Sequence, residues 1–208
     1  MTIIIDFAHL QHFKKNHSIE FENILTEPQI ELILAHFSKR ASGYSLPYPL
    51  KVGFNHWRED LEIEKIICSF KLAKLAGQLL DRMQLRFGFS QYLSSTCYCN
   101  DFAFLNRKSC IKEFIGGLCV CLEPTQEPEN PYFPTQKGHA IFFEMDEEFY
   151  LRFPKTAGKY LFIFYAHHKA SYTHQSQDPL NPLFRELGYE QGDRLKAPLN
   201  PSFSWMPV

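Results

Sequence analysis

The chain has 208 residues, 45% hydrophobic and 22% charged, enough for one full core in a single domain over 1–208 and too apolar for a disordered chain. With 22 basic against 23 acidic residues and no basic run longer than Lys14-Lys15 or Lys39-Arg40, it lacks the phosphate-neutralising surface of a nucleic-acid binder. The longest apolar run, Phe114 to Leu122, holds nine residues against about 20 for a membrane span, so neither nucleic acid nor membrane is an expected partner.

The opening MTIIIDFAHL has no basic start and carries Asp6 inside its apolar stretch, so it does not read as a secretory signal and a cytoplasmic location is expected. Thr26 to Arg40 has helical periodicity, with Ile30, Ile33, Leu34 and Phe37 on one face. Thr26 and Gln29 fit a capping box, and Pro28 is tolerated in a first turn whose amides are unpaired anyway. Pro47 and Pro49 set a loop, and two further helices are expected after Trp57, where Leu72, Leu75, Ala76, Leu79 and Met83 form a core-packing stripe.

At Leu85 the period drops from about 3.6 to 2. Twenty phenylalanines and ten tyrosines favour pleated, half-buried surfaces. Strands are predicted at Leu85 to Phe89, Thr96 to Phe104, Phe114 to Leu122, His139 to Met145, Glu148 to Phe153 and Lys159 to Tyr165, with turns such as Pro154 to Gly158 between them. Lys159 to Tyr165 is apolar on both faces and so predicts a central, doubly covered strand, whereas Phe149, Leu151 and Phe153 alternate with Tyr150 and Arg152 as a one-sided strand does. Helices followed by a β-core give the class α+β, with the helices packed outside a sandwich or barrel.

Chemistry-bearing residues are sparse. Cys97/Cys99 and Cys119/Cys121 form two C-x-C pairs on predicted strands, where side-chain roots lie ~6.6 Å apart, while tetrahedral zinc wants its sulfurs ~3.8 Å apart. They read as reduced, buried small hydrophobes. His139 and Glu144 have an odd separation, which puts them on opposite strand faces. Nucleophile-elbow, P-loop and dinucleotide-binding motifs are absent from the sequence. His167-His168 follows the central strand directly.

Three stretches carry a family resemblance: Phe21 to Ile33, Asp60 to Leu93, and Gly138 to Glu144 followed by Phe153 to Phe164. In that order they resemble the opening phrase and first helix, the helices and first core strand, and the strand-turn-strand leading to the distal histidine of the Fe(II)/2-oxoglutarate-dependent oxygenases, above all the phytanoyl-CoA and prolyl-hydroxylase branches. The resemblance implies a double-stranded β-helix, a jelly-roll or cupin-like core flanked by N-terminal helices, spanning about Leu85 to Tyr172. It also implies a His-x-Asp/Glu pair on one strand face with a second histidine from the adjoining strand, leaving iron positions open for a 2-oxoacid and O₂. In the matching window, Thr96-Cys-Tyr-Cys-Asn-Asp101, Asp101 fits the carboxylate but Cys99 stands where histidine belongs. The distal ligand is His167 or His168, and Arg185 is the nearest replacement for the basic residue that anchors 2-oxoglutarate.

Two expectations follow from the broken motif. In the first, the scaffold persists without its metal, takes neither Fe(II) nor 2-oxoglutarate, and binds an unknown small molecule or protein. In the second, the chain is an atypical oxygenase that uses Fe(II) and 2-oxoglutarate through Asp101, His167 or His168, and a substituted ligand. A more remote alternative, a metal-responsive transcription regulator, lacks the basic surface that role requires. For the first, Phe102, Phe104, Phe142 and Phe162 are the expected walls of the remaining pocket.

Overall fold

The computed structural model describes residues 3–41, 53–94, 103–124, 131–152 and 158–206. A short helix, α1 (Phe7–Asn16), opens the chain, followed by β1 (Ser18–Phe21) and the longer α2 (Glu27–Ala41). Asp6 and His9 form a reciprocal capping box on α1, which starts a helix that buries only Phe13. On α2 the predicted stripe is the buried one, with Ile30, Ile33 and Phe37 in the core. At its start the Gln29 side chain accepts from the Thr26 amide at 2.9 Å, one arm of the expected capping box, and the Thr26 hydroxyl donates to the same Gln29 oxygen.

The two helices expected after Trp57 are α3 (Leu61–Ile67) and α4 (Phe70–Leu79). Asp60 starts α3 by accepting from the amides of Glu62 and Ile63, which satisfies donors a first turn leaves open. On α4 the residues Leu72, Leu75, Ala76 and Leu79 are buried as predicted, but Met83 is 53% exposed. The helix ends at Leu79, and Asp81 adopts a left-handed φ of 53°, so the chain has turned away before Met83 can join the stripe.

Among the described residues, eight strands follow or frame these helices. They are β1, β2 (Gln84–Leu93), β3 (Ala103–Leu105), β4 (Phe114–Glu123), β5 (Ala140–Glu144), β6 (Tyr150–Arg152), β7 (Lys159–His167) and β8 (Ser202–Ser204), with a one-and-a-half-turn helix α5 (Asn181–Glu186) before the last. Six of them make one antiparallel sheet in the order β1-β5-β4-β7-β2-β8, and β3 pairs with β6 in a second, two-stranded sheet. The predicted central strand, β7, lies in the middle, with Phe162 opposite Cys119 of β4 and Gln91 of β2. The larger sheet is wider than the predicted β-core, because β1 and β8 come from outside the Leu85 to Tyr172 stretch. Among the described residues the two sheets do not join into a closed barrel.

A bulge interrupts β2 at Gly88. A side chain there would place Cβ 2.4 Å from the Phe114 ring and 2.9 Å from the Phe164 carbonyl oxygen, so only glycine lets β2 approach its neighbours this closely. Asn200, fully buried, closes the bulge by donating from Nδ2 to the carbonyls of Phe87 and Gly88.

Candidate functional site

Strand alternation divides the core into two layers. Leu85, Phe87, Leu118, Val120, Phe142, Ile163 and Tyr165 face the helices, packing with Ile30, Ile33, Phe37 and Ile63. Phe89, Cys119, Cys121, Phe143, Phe162 and Phe164 face the other way, toward Phe149 and Leu151 of the β6 segment and toward Phe133 and Phe184. This second layer, between the two sheets, is where an oxygenase-type pocket would lie. Phe142 and Phe162, both expected as walls of that pocket, are therefore on opposite faces of the sheet, because their partners Leu118 and Cys119 are consecutive in β4. Phe102 lies outside the described residues.

Among the described residues, aromatic rings pack across the inter-sheet space. Phe164 stacks on Phe89 with centroids 4.3 Å apart, Phe143 stacks on Phe149 at 5.2 Å, and Phe133 meets Phe162 edge-on at 5.3 Å. The C-terminal segment covers the remaining flank, fastened by Asp178, whose carboxylate accepts from the Cys110 and Leu180 amides at 2.5 and 2.8 Å. Burial raises the Asp178 pKa above the usual carboxylate range, against the hydrogen bonds that lower it.

Cys119 and Cys121 sit on this inward face, buried as expected. Burial pushes both up, Cys121 to about 12 with help from Glu20 and Glu123. A neutral thiol is neither a good metal ligand nor a nucleophile. Cys110 is shifted the same way, chiefly by burial and then by Asp178. Native protein treated with a thiol reagent should therefore leave Cys110, Cys119 and Cys121 unmodified while denatured protein yields six thiols. Rapid labelling of Cys119 or Cys121 in the native state, read by peptide mass spectrometry, would show that this layer opens readily.

His167 is the last residue of β7, opposite Leu85 at the beginning of β2. Its Nδ1 lies 3.2 Å from a Glu113 carboxylate oxygen, and its amide donates to the Glu113 carbonyl. The His168 ring is tilted against it at 4.1 Å. Desolvation lowers the His168 pKa, followed by the neighbouring charges of His167, Lys169 and Arg86. Arg185, in the last turn of α5, is exposed. Cys99 and Asp101, with the whole Thr96 to Asp101 window, lie outside the described residues.

The flanks of that window are well placed, however. It follows Leu93, which pairs with Tyr160, and it leads into Ala103, which pairs with Arg152. Tyr160 and His167 are seven residues apart on β7, or about 23 Å at strand rise. The strand adjoining β3 is β6, and its buried inward residue is Leu151.

Among the described residues no group of three or more His, Cys, Asp or Glu side chains could hold a metal ion. Among the described residues the inward side chains are mostly aromatic rings and buried thiols, with Gln91 beside Phe162. Sequence reasoning missed Glu113 as the partner of His167, and nothing local signals a pair 54 residues apart. It separated His139 from Glu144 correctly: His139 meets Glu20 at 3.0 Å and Glu144 meets His17 at 2.9 Å.

The fold is similar to that of solved non-haem alpha ketoglutarate dependent enzymes. The non-heme alpha ketoglutarate dependent carbocyclase SnoK from nogalamycin biosynthesis superposes with a TM-score of 0.70 over 96% of this chain and 97% of its own, at 11% identity. EctD from S. alaskensis, solved with bound Fe, gives 0.62 over 94% and 89% at 13% identity. CT296 from Chlamydia trachomatis gives 0.52 over 80% and 99%, also at 13%. At these identities the likeness is one of fold. No protein-family model and no curated protein matches the sequence.

Proposed function

We propose that this chain is a divergent oxygenase-fold protein that does not bind Fe(II) or 2-oxoglutarate and acts as a binding protein. The observation that carries the reading is the inter-sheet layer, where Phe89, Phe143, Phe149, Phe162 and Phe164 pack ring on ring. A metal with its oxygen ligands seated in that layer would displace side chains whose burial is worth ~1.5–3 kcal/mol each. The Cys99 substitution acts in the same direction: a thiolate beside an O₂-activating metal is itself oxidised. One carboxylate and one histidine are too few protein ligands to hold a divalent ion against water. The ligand in this reading is a small molecule or a protein, and the place of action is the cytoplasm. Among the described residues no helix is long and apolar enough to cross a membrane.

The second reading, an atypical oxygenase using Asp101 with His167 or His168, Cys99 as a substituted ligand and Arg185 as the 2-oxoglutarate anchor, draws support from the neighbours. The epimerase SnoN was solved in complex with Fe3+ and alpha ketoglutarate, and EctD with 2-oxoglutarate. Anaerobic calorimetry with Fe(II) and 2-oxoglutarate separates the two. The proposal expects no heat of binding for either. Micromolar binding, lost in Asp101→Ala and in His167→Ala or His168→Ala, would replace it with the oxygenase reading. In the unbinding protein, Cys99→His should begin to restore metal affinity if Asp101 occupies the carboxylate position.

A further inference from the structure

Away from the β-core, the outer face of α4 forms the floor of a groove. The N-terminal segment Ile3 to Ile5 makes one wall, and Trp205 and Met206 at the other end of the chain make the opposite one. Gly77 allows the second wall its position: a Cβ there would fall 1.9 Å from the Trp205 ring. Two cavities of about 450 and 470 Å³ run along this floor and share Ile5, Lys74 and Gln78. Four large apolar side chains stand open around them, Ile4 at 77% exposed, Phe70 at 51%, Met83 at 53% and Met206 at 87%. Phe70 is tied to the wall by its edge contact with Trp205. Single exposed apolar residues need no explanation, but several gathered on one concavity mark an interaction surface.

The charge around this groove is one-sided. Among the described residues that line it, Lys74 and Arg82 stand against the carboxylate of Asp81, and Arg82 donates to the Asp81 backbone carbonyl, not to its carboxylate. The excess is positive on a chain whose net charge is −1. An occupant that buries apolar side chains between the walls while presenting carboxylates to Lys74 and Arg82 complements both features. The concave shape suits a segment of chain better than a flat lipid surface. We propose that the groove between residues 3–5, α4 and residues 205–206 docks an acidic amphipathic segment of a partner protein. This surface is independent of whether the β-core binds iron.

The test uses the full chain and a fluorescein-labelled synthetic amphipathic helix of leucine and glutamate, with a leucine and lysine counterpart as control, followed by fluorescence anisotropy. The acidic peptide should bind at least about tenfold more tightly than the basic one, and raising salt should weaken it. The double variant Lys74→Glu, Arg82→Glu should reverse that preference, and Met206→Asp should weaken binding of the acidic peptide about tenfold. All three positions are at the surface, and an unchanged thermal melt confirms that the variants fold. Equal affinity for the two peptides, no binding of either, or binding untouched by these substitutions would overturn the proposal. So would sedimentation with phosphatidylcholine–phosphatidylserine vesicles, which assigns the face to membranes, or a dimer that Met206→Asp dissolves, which assigns it to a second copy.

Discussion

Phe164→Ala should cost about 3–5 kcal/mol of folding stability, among the largest effects expected of any single substitution in this chain. Phe164 is fully buried at the centre of β7 and stacks on Phe89 at 4.3 Å, with Phe162, Phe143 and Phe114 also against it. Removing it forfeits both the transfer free energy of a ring and the contacts of at least four others, and strands held in register on both sides leave little room to collapse into the hole. Because the surrounding side chains are rings, the cavity should stay dry. A denaturant melt measures the loss. Tyr150→Ala, on the open face of β6 and 52% exposed, should change stability by less than about 0.5 kcal/mol and serves as the comparison. A loss below about 1 kcal/mol for Phe164→Ala would mean that the inter-sheet layer is loosely packed. The reading of the core as filled with rings would then fail, and with it the main support for a metal-free scaffold.

That layer shows what one sequence can and cannot say. Lys159 to Tyr165 is apolar at every position from Tyr160 onward, which is the signature of a strand with neighbours and cover on both sides, and β7 is that strand. Phe149 and Leu151 against Tyr150 carried the one-sided pattern, and their burial follows it. What alternation does not give is which face of one strand matches which face of another. Phe142 and Phe162 both read as interior aromatics, yet their registers against β4 differ by one residue, and a shift of one turns a side chain to the other face. Three elements had no legible signal. Helix α1 buries one residue and so shows no stripe, while β1 and β8 have four and three residues and exist because the edges of the larger sheet offer unpaired backbone. For the candidate site, the end of β7 was legible as the position of His167-His168. Its partner Glu113 was not, because the contact is made by the register of β4 on β7 and not by any local pattern.

The bulge in β2 rests on a residue that no motif marks, and Asn200→Ala should cost about 3–5 kcal/mol. The Asn200 side chain is wholly buried, donates to the Phe87 and Gly88 carbonyls, and accepts from the Tyr189 hydroxyl at 2.6 Å. Alanine removes the donor to both carbonyls and the acceptor of the Tyr189 O–H where water does not reach, at ~1–3 kcal/mol for each buried group that stays unsatisfied, with some relaxation between them. It also frees the C-terminal segment, since Tyr189 is the acceptor for the Lys196 amide. Asn200→Asp separates hydrogen bonding from shape. The carboxylate fits the same space but can only accept, so at neutral pH it faces two carbonyl oxygens with no proton to offer. Burial and those oxygens both favour the protonated acid, placing the folded-state pKa above the unfolded value of about 3.9. Between those two values the folded state binds the extra proton, so stability is highest in acid and falls as pH rises through the folded pKa. Urea melts of Asn200→Asp across that range should show the variant gaining on wild type as the solution is acidified. A flat difference between the two would mean that Asn200 acts by packing alone and that the bulge at Gly88 holds without it.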